Sequence, residues 1–213
     1  MTITREEILD IVHAARSAKS FDSNRKISNE DWETLLTVAQ QAPSSNSLEA
    51  WRIIEVNEPE IRRQLIEVAP GEKQQLATAD KFVFFAAVSA DENSAYAWHM
   101  QKDLQQMPDD VFTAWQQRLY GLHHNLLNIS FDTWLERQAT IPIGQMTLAA
   151  SLLGIDSCMM EGFFYSRVAE ILTTAGLLNP EEERLATGVA FGYSDFVPKR
   201  EKIRRPLDEI VKK

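Results

Sequence analysis

The sequence predicts one α+β domain in which helices outnumber strands. Apolar residues recur at helical spacing in several long segments, whereas continuous β-branched or aromatic runs are short and few. No internal repeat or low-complexity linker divides the 213 residues, and a chain of this length can fold as one domain. We therefore expect a single domain over residues 1–213, with helices and a few strands mixed along it.

The first half is predicted to contain helices and two strands. Ser28 is typical of a helix N-cap, acids follow it in the first turn, and Pro43 stops the apolar stripe that comes after. The predicted elements are an amphipathic helix over 5–17, a helix from Ser28 to Pro43, a strand over 52–56, a short helix from Pro59 to Val68 and a buried strand from Phe82 to Val88.

The second half is dominated by a long predicted helix, Phe131 to Leu153, which Gly154 ends. Pro142 lies inside it and is expected to kink it, and its small residues permit close packing against another helix. A short helix from Ser166 to Ala175 and a strand from Leu185 to Tyr193 follow.

Residues 93–130 are polar, rich in aromatic residues and predicted to be helical in places. Their aromatic side chains would either roof a substrate cleft or belong to the core, and both interpretations stay open. These side chains are Tyr96, Trp98, Phe112, Trp115 and Tyr120.

Composition narrows the classes of partner. With 22 Lys and Arg against 31 Asp and Glu, the net charge is −9, which disfavours nucleic acid and anionic membranes as partners. An anionic ligand would need a local cluster of cations. The strongest apolar run is too short to span a bilayer, the N-terminus is polar, and the only cysteine is Cys158. A cytoplasmic protein is the expectation.

Several common kinds of site lack their motifs. The four histidines show no metal-ligand spacing, so no metal site is predicted. The sequence also lacks a dinucleotide-binding glycine motif, a P-loop and a hydrolase nucleophile elbow.

Four segments could bind a ligand, although each has an ordinary structural explanation. Arg16, Ser17 and Lys19 could hold a phosphate or cap a helix. Lys202 and Arg204, two residues apart, would point to the same side of an extended segment, or belong to a solvated basic tail. The loop with Pro43, Ser44, Ser45 and Ser47 could wrap a polar ring edge or be a plain turn. Glu161-Gly162 would let the backbone approach a planar ligand, or end a core strand.

Taken in the order in which they occur along the chain, these segments resemble the nitroreductase family of FMN-dependent oxidoreductases. The resemblance rests on ARSAKSFD, APSSNSLEAW, QATIPIGQMTLAASLLGIDSCMMEGF, ATGVAFGY and KIRRP. It covers about Ile8 to Leu207 and is weakest over 58–130. It implies a nitroreductase-like fold with a central, mostly antiparallel sheet flanked by helices, and an intertwined homodimer with a flavin site at each end of the interface.

The resemblance also implies roles for residues. Arg16, Ser17 and Lys19 would contact the FMN phosphate and ring edge, and Lys202 with Arg204 would grip the phosphate. Glu161 and Gly162 would lie beside the reactive part of the ring. The partner subunit would supply Pro43, Ser44, Ser45 and Ser47, and a residue near Glu72 or Lys73.

Three positions depart from the usual family pattern. Ala15 stands where many relatives have a basic residue, which puts the phosphate contacts in doubt. Met159 replaces the proline common before the Glu-Gly pair, and could change the loop over the flavin. The serine loop ends in Glu49-Ala50-Trp51 and not in the usual Gln-Pro-Trp or Glu-Pro-Trp.

The implied function is an FMN-dependent NAD(P)H oxidoreductase. It would take hydride from NADH or NADPH and reduce a small-molecule acceptor such as a nitroaromatic or a quinone by a ping-pong scheme. No side chain stands out as a catalytic acid or base, because the cofactor carries the redox chemistry. The alternatives are a flavin-binding redox sensor or flavin store without enzyme activity, and a helical interaction protein.

Overall fold

A four-stranded antiparallel sheet is the centre of the fold. The computed structural model describes residues 3–89, 98, 100–122 and 128–213. The strands are β1 (Trp51–Glu55), β2 (Lys81–Val88), β3 (Asp156–Met160) and β4 (Glu183–Gly192), in the order β1-β2-β4-β3. The register pairs Ile54 with Phe84, Val83 with Val189 and Cys158 with Ala190. The predicted α+β class and antiparallel sheet are confirmed.

Helices cover both faces of this sheet. They are α1 (Arg5–Ala14), α2 (Asn29–Gln40), α3 (Pro59–Glu67), α4 (Lys73–Thr78), α5 (Asp109–Leu122), α6 (Phe131–Leu152), α7 (Tyr165–Thr174) and α8 (Leu207–Ile210). Phe82 and Phe84 of β2 pack with the residues of α3, α4 and α7, whereas Val83 and Phe85 pack with those of α2 and α6. Because both faces of β2 are covered, its sequence is continuously apolar and does not alternate.

Serine side chains cap the N-termini of α2 and α6, and the cap at Ser28 was predicted. Ser28 accepts a hydrogen bond from the Asp31 amide at 3.0 Å. Ser130 does the same for the Thr133 amide at 3.1 Å. Helix α6 passes through the buried Pro142 as one helix, and Gly154 follows it at φ +71°, a conformation that glycine adopts without steric cost.

Two predicted boundaries were wrong. The first helix ends at Ala14 and not at residue 17, because the Ala18 amide donates to the Ser157 carbonyl at 3.1 Å and so pairs Ser17 with β3. Strand β4 begins at Glu183, two residues before the predicted start. Glu183 is buried and forms an ion pair with Arg52. The predicted strand began too late because it was located from apolar residues, and Glu183 is charged.

The aromatic residues of the 93–130 region pack together where the structure describes them. The Trp98 ring is buried and lies 5.6–6.1 Å from the rings of Phe112, Trp115 and Tyr120, which are partly buried. The core interpretation is confirmed for Trp98, whereas both interpretations stay predictions for the other three. Tyr96 lies outside the described residues.

Candidate functional site

Two distant parts of the sequence meet in one basic cavity of about 630 Å³. The segment after α1 supplies Arg16, Ser17 and Lys19, and the C-terminal segment supplies Lys199, Arg200, Lys202 and Arg204. Glu201 is the one acid in the lining. The folded chain thus brings the Arg16–Lys19 segment and the Lys202–Arg204 segment together.

The cations of this cavity are not neutralised by acids. In the part of the chain that the structure describes, none of the six lysine and arginine side chains in the lining forms an ion pair. The whole chain carries a net charge of −9, so this concentration of unpaired positive charge is local. Such a cluster creates a positive potential that attracts an anion.

The first segment is fixed to the sheet by backbone hydrogen bonds. Ser17 pairs with Ser157 in a parallel bridge, and the Asp22 amide donates to the Tyr193 carbonyl at 2.8 Å. Phe21 between them is buried, with 1% of its surface exposed. Arg16 and Lys19 are therefore carried on a stretch that lies along the edge of the sheet, beside β3.

Glu161 and Gly162 follow directly after the end of β3. The Gly162 carbonyl accepts a hydrogen bond from the Gly71 amide at 3.1 Å. A Cβ on Gly162 would lie 2.7 Å from Oε1 of Glu72, so a side chain at this position would displace Glu72. Glu72, which was expected to approach the flavin from the partner subunit, lies here against Gly162 of its own chain.

Cys158 lies on β3 between the Ser17 bridge at Ser157 and Gly162. Burial raises the pKa of the Cys158 thiol, the charge of Glu72 raises it further, and the charge of Lys19 lowers it. Cys158 is a buried thiol, as expected, and a raised pKa makes it a poor nucleophile.

Glu161 borders a second cavity of about 470 Å³, which is also lined by Glu136, Arg137 and Tyr165. The Tyr165 hydroxyl donates to the Ala186 carbonyl at 3.2 Å. Burial raises the pKa of Tyr165, and the charges of Glu161 and Glu136 raise it further. Sequence reasoning did not find this cavity, because its residues come from α6, α7 and β4.

The loop with Pro43, Ser44, Ser45 and Ser47 is not part of the basic cavity within one chain. The Ser45 amide donates to Oε1 of the buried Gln138 on α6 at 2.9 Å, and Ser44 Oγ accepts from the Glu49 amide at 2.8 Å. Asn46, Ser47 and Glu49 have φ values of 57°, 51° and 46°, which is uncommon for residues other than glycine. Pro43, Ser44, Ser45 and Ser47 do not line the basic cavity.

Lys202 differs from its expected role in one respect. Its ammonium donates to the carbonyls of Val12 and Ala15 at 2.7 and 2.8 Å. Arg204 Nη1 donates to the Ile203 carbonyl at 2.8 Å. Both side chains line the cavity, but two of the three Lys202 N–H groups are already used inside the protein.

Comparison with known proteins identifies the family. A model of the nitroreductase family matches residues 4–193. The chain belongs to the nitroreductase family. It is similar to a protein of Bacillus subtilis (strain 168) provisionally named NAD(P)H nitroreductase YfkO, with 35% identity over 100% of this chain and 99% of that one. Provisionally named NAD(P)H nitroreductases of Staphylococcus aureus, such as that of strain USA300, are 33% identical over 99% of this chain and 97% of theirs.

Solved structures of the family have the same fold. A provisionally named nitroreductase from Exiguobacterium sibiricum, solved in complex with FMN, aligns with a TM-score of 0.77 at 20% identity, over 100% of this chain and 99% of that one. The NfrA1 nitroreductase of B. subtilis aligns with a TM-score of 0.70 at 21% identity, over 96% of this chain and 73% of its own. The expected nitroreductase-like fold is therefore confirmed.

Proposed function

We propose that this member of the nitroreductase family is an FMN-dependent NAD(P)H oxidoreductase. The observation that carries the proposal is the basic cavity, in which six unpaired cations from residues 16–19 and 199–204 meet beside the strand that leads to Glu161-Gly162. A family relative has been crystallised with FMN, and the names of the sequence relatives include NAD(P)H.

The residues of the cavity suit a phosphate ester attached to a flat ring system. Guanidinium groups such as those of Arg16 and Arg204 can bind phosphate with two parallel hydrogen bonds, while Ser17 and Lys19 offer single donors. Gly162 has no side chain to hold a planar ligand away from its backbone, and Glu72 occupies the position of its missing Cβ. We assign the phosphate to the cavity and the ring to the Glu161-Gly162 side.

We further propose a homodimer in which the partner's loop at Pro43, Ser44, Ser45 and Ser47 completes the site. Apolar residues on α1 and the end of α6 support this, because they remain 39–48% exposed in the single chain: Ile8, Leu9, Val12, Leu148 and Leu152. Contiguous exposed apolar surface is typical of a protein–protein interface. Analytical ultracentrifugation of the purified chain tests this part of the proposal.

The chemistry that FMN supplies when bound is hydride acceptance at N5 from a nicotinamide, followed by reduction of a second substrate in the same cleft. The proposed acceptors are nitroaromatics, quinones or similar small molecules. The protein's own residues bind the phosphate, orient the ring and shield one of its sides.

Among the helices that the structure describes, none has the length and apolar character needed to span a bilayer. The proposed location is the cytoplasm, as the lone cysteine suggests.

Anaerobic reduction of the purified protein, loaded with FMN, tests the function. NADH or NADPH, added in turn, is expected to bleach the visible absorbance of the bound flavin, and a quinone or nitroaromatic is expected to restore it. A protein that binds FMN but is not reduced by either nicotinamide would instead be a flavin-binding sensor or store. A protein that remains colourless after addition of FMN would contradict the whole proposal.

A further inference from the structure

The C-terminal segment, residues 197–206, supplies most of the positive charge of the basic cavity. Four of the six cations in the lining belong to it: Lys199, Arg200, Lys202 and Arg204. The position of this segment therefore decides whether the cavity exists as a binding site.

Hydrophobic packing does not hold this segment in place. It contains no helix or strand, and its apolar side chains remain in solvent, with Val197 81% exposed and Ile203 76% exposed. Little apolar surface is buried, so little free energy from the hydrophobic effect favours this arrangement of the segment.

One side chain attaches the segment to the rest of the chain by hydrogen bonds. Within 197–206, all of which the structure describes, the hydrogen bonds to the chain before residue 197 are those from the Lys202 ammonium to the Val12 and Ala15 carbonyls, at 2.7 and 2.8 Å. The Pro206 carbonyl accepts only from Glu209, three residues further on. The Arg204 guanidinium bonds only to its neighbour Ile203.

The acceptor site for Lys202 is the C-terminal end of α1. This helix ends at Ala14, and the last carbonyls of a helix have no partner inside it. A cation is favoured there by the helix dipole as well. Lysine is suited to this position because its ammonium has three donors, so that two can bind carbonyls while one remains available for an anion.

Like charges oppose the docking when no anion is present. Burial lowers the pKa of Lys202, and the nearby charges of Arg204 and Arg16 lower it further. A bound phosphate would offset this repulsion. Docking of the segment and binding of an anion should therefore stabilise each other, since coupling between two equilibria is reciprocal.

We propose that Lys202 is a positioning residue that docks residues 197–206 on the end of α1, and that this docking and the binding of a phosphate-bearing ligand reinforce each other. The inference rests on the proposed function for the identity of that ligand, FMN. The inference gives the two residues of the basic pair different roles. Arg204 binds the anion, whereas Lys202 holds the C-terminal segment on the end of α1.

Limited trypsin digestion of the full chain, freed of FMN by dialysis, tests the docking. Mass spectrometry follows cleavage after Lys199 and Arg200, which remain in every variant. Lys202→Met cannot donate to the carbonyls, and we expect its cleavage there to be about ten-fold faster than in the unaltered chain. Lys202→Gln, uncharged but still a donor, should fall between the two, and Lys202→Arg should restore slow cleavage. Added FMN or inorganic phosphate should slow cleavage of the unaltered chain.

Arg204→Met and Arg205→Met are the matched controls in the same segment. Arg205 does not line the cavity. Arg204→Met should weaken FMN binding by about ten-fold and should not speed cleavage, because it removes a like charge beside Lys202. Arg205→Met should change neither. If Lys202→Met loses FMN affinity while its cleavage matches that of Arg204→Met, Lys202 is a direct phosphate ligand and the inference is wrong.

Failure of the proposed function can be distinguished from failure of this inference. An unaltered chain that binds no FMN would contradict the proposed function, whereas the cleavage rates of Lys202→Met and Lys202→Gln would still decide the docking.

Discussion

The centre of the sheet and the C-terminal segment contribute to this protein in opposite ways. In β2, residues 82–88 are buried, and hydrogen-bonded strands flank them on both sides. Residues 197–206 are mostly exposed and are joined to the body through one lysine side chain. Folding free energy is therefore concentrated in the sheet, while the ligand site depends on a segment that adds little to it. Elements that bind ligands commonly belong to the less stable parts of a fold.

Phe84→Ala should give the largest loss of stability. Phe84 is 1% exposed, and its ring contacts those of Phe82 and Phe163 at centroid distances of 4.8 and 5.4 Å. Removing a buried ring leaves a cavity and should lower the free energy of unfolding by about 3–5 kcal/mol. Chemical denaturation measures this. A loss below about 1 kcal/mol would mean that stability is not concentrated in the sheet.

Gly192→Ala should cause an intermediate loss of stability and should also weaken FMN binding. An added Cβ would lie 2.8 Å from Cδ1 of the buried Phe21, so overpacking should cost about 1–3 kcal/mol. Phe21 follows Lys19 on the same stretch, and its displacement should also weaken FMN binding. Gly121→Ala is the control, because no described residue has an atom within 4 Å of its added Cβ. Denaturation and flavin titration of both variants make the comparison, and equal stabilities would contradict the packing argument.

Ser28→Ala should have the smallest effect of the three. Its hydroxyl caps α2 by accepting from the Asp31 amide at 3.0 Å, and Ser28 does not line the basic cavity. Loss of an N-cap costs about 1 kcal/mol. The thermal midpoint should fall while FMN affinity stays unchanged, because no residue of the cavity contacts this cap. A drop in FMN affinity would show that the two regions are more strongly coupled than the structure suggests.

Much of the fold was predictable because local patterns determine it. The apolar run of β2, the Ser28 cap and the glycine after α6 each act over a few residues. Helix α4 escaped prediction because it has six residues and no capping hydrogen bond. The end of α1 was misplaced because the partner that ends it, Ser157 on β3, lies far away in the sequence.

The candidate site was predictable only as separate segments. Charge and residue type marked Arg16, Lys19, Lys202 and Arg204, but more than 180 residues separate the two groups in the sequence, so their meeting is a product of the whole fold. Lys199 and Arg200 were missed, since a run of basic residues looks like a solvated tail. The bonds from Lys202 to helix carbonyls could not be foreseen, because any backbone carbonyl is a possible acceptor.

The most direct test of the account compares the affinities of FMN and riboflavin, which differ only by the phosphate. The unaltered chain should bind FMN about 100-fold more tightly than riboflavin, given charge-assisted hydrogen bonds to the phosphate. In the double variant Arg16→Met with Arg204→Met, that preference should nearly vanish while riboflavin affinity is retained. Equal affinities of the unaltered chain for FMN and riboflavin would contradict the assignment of the basic cavity as the phosphate site.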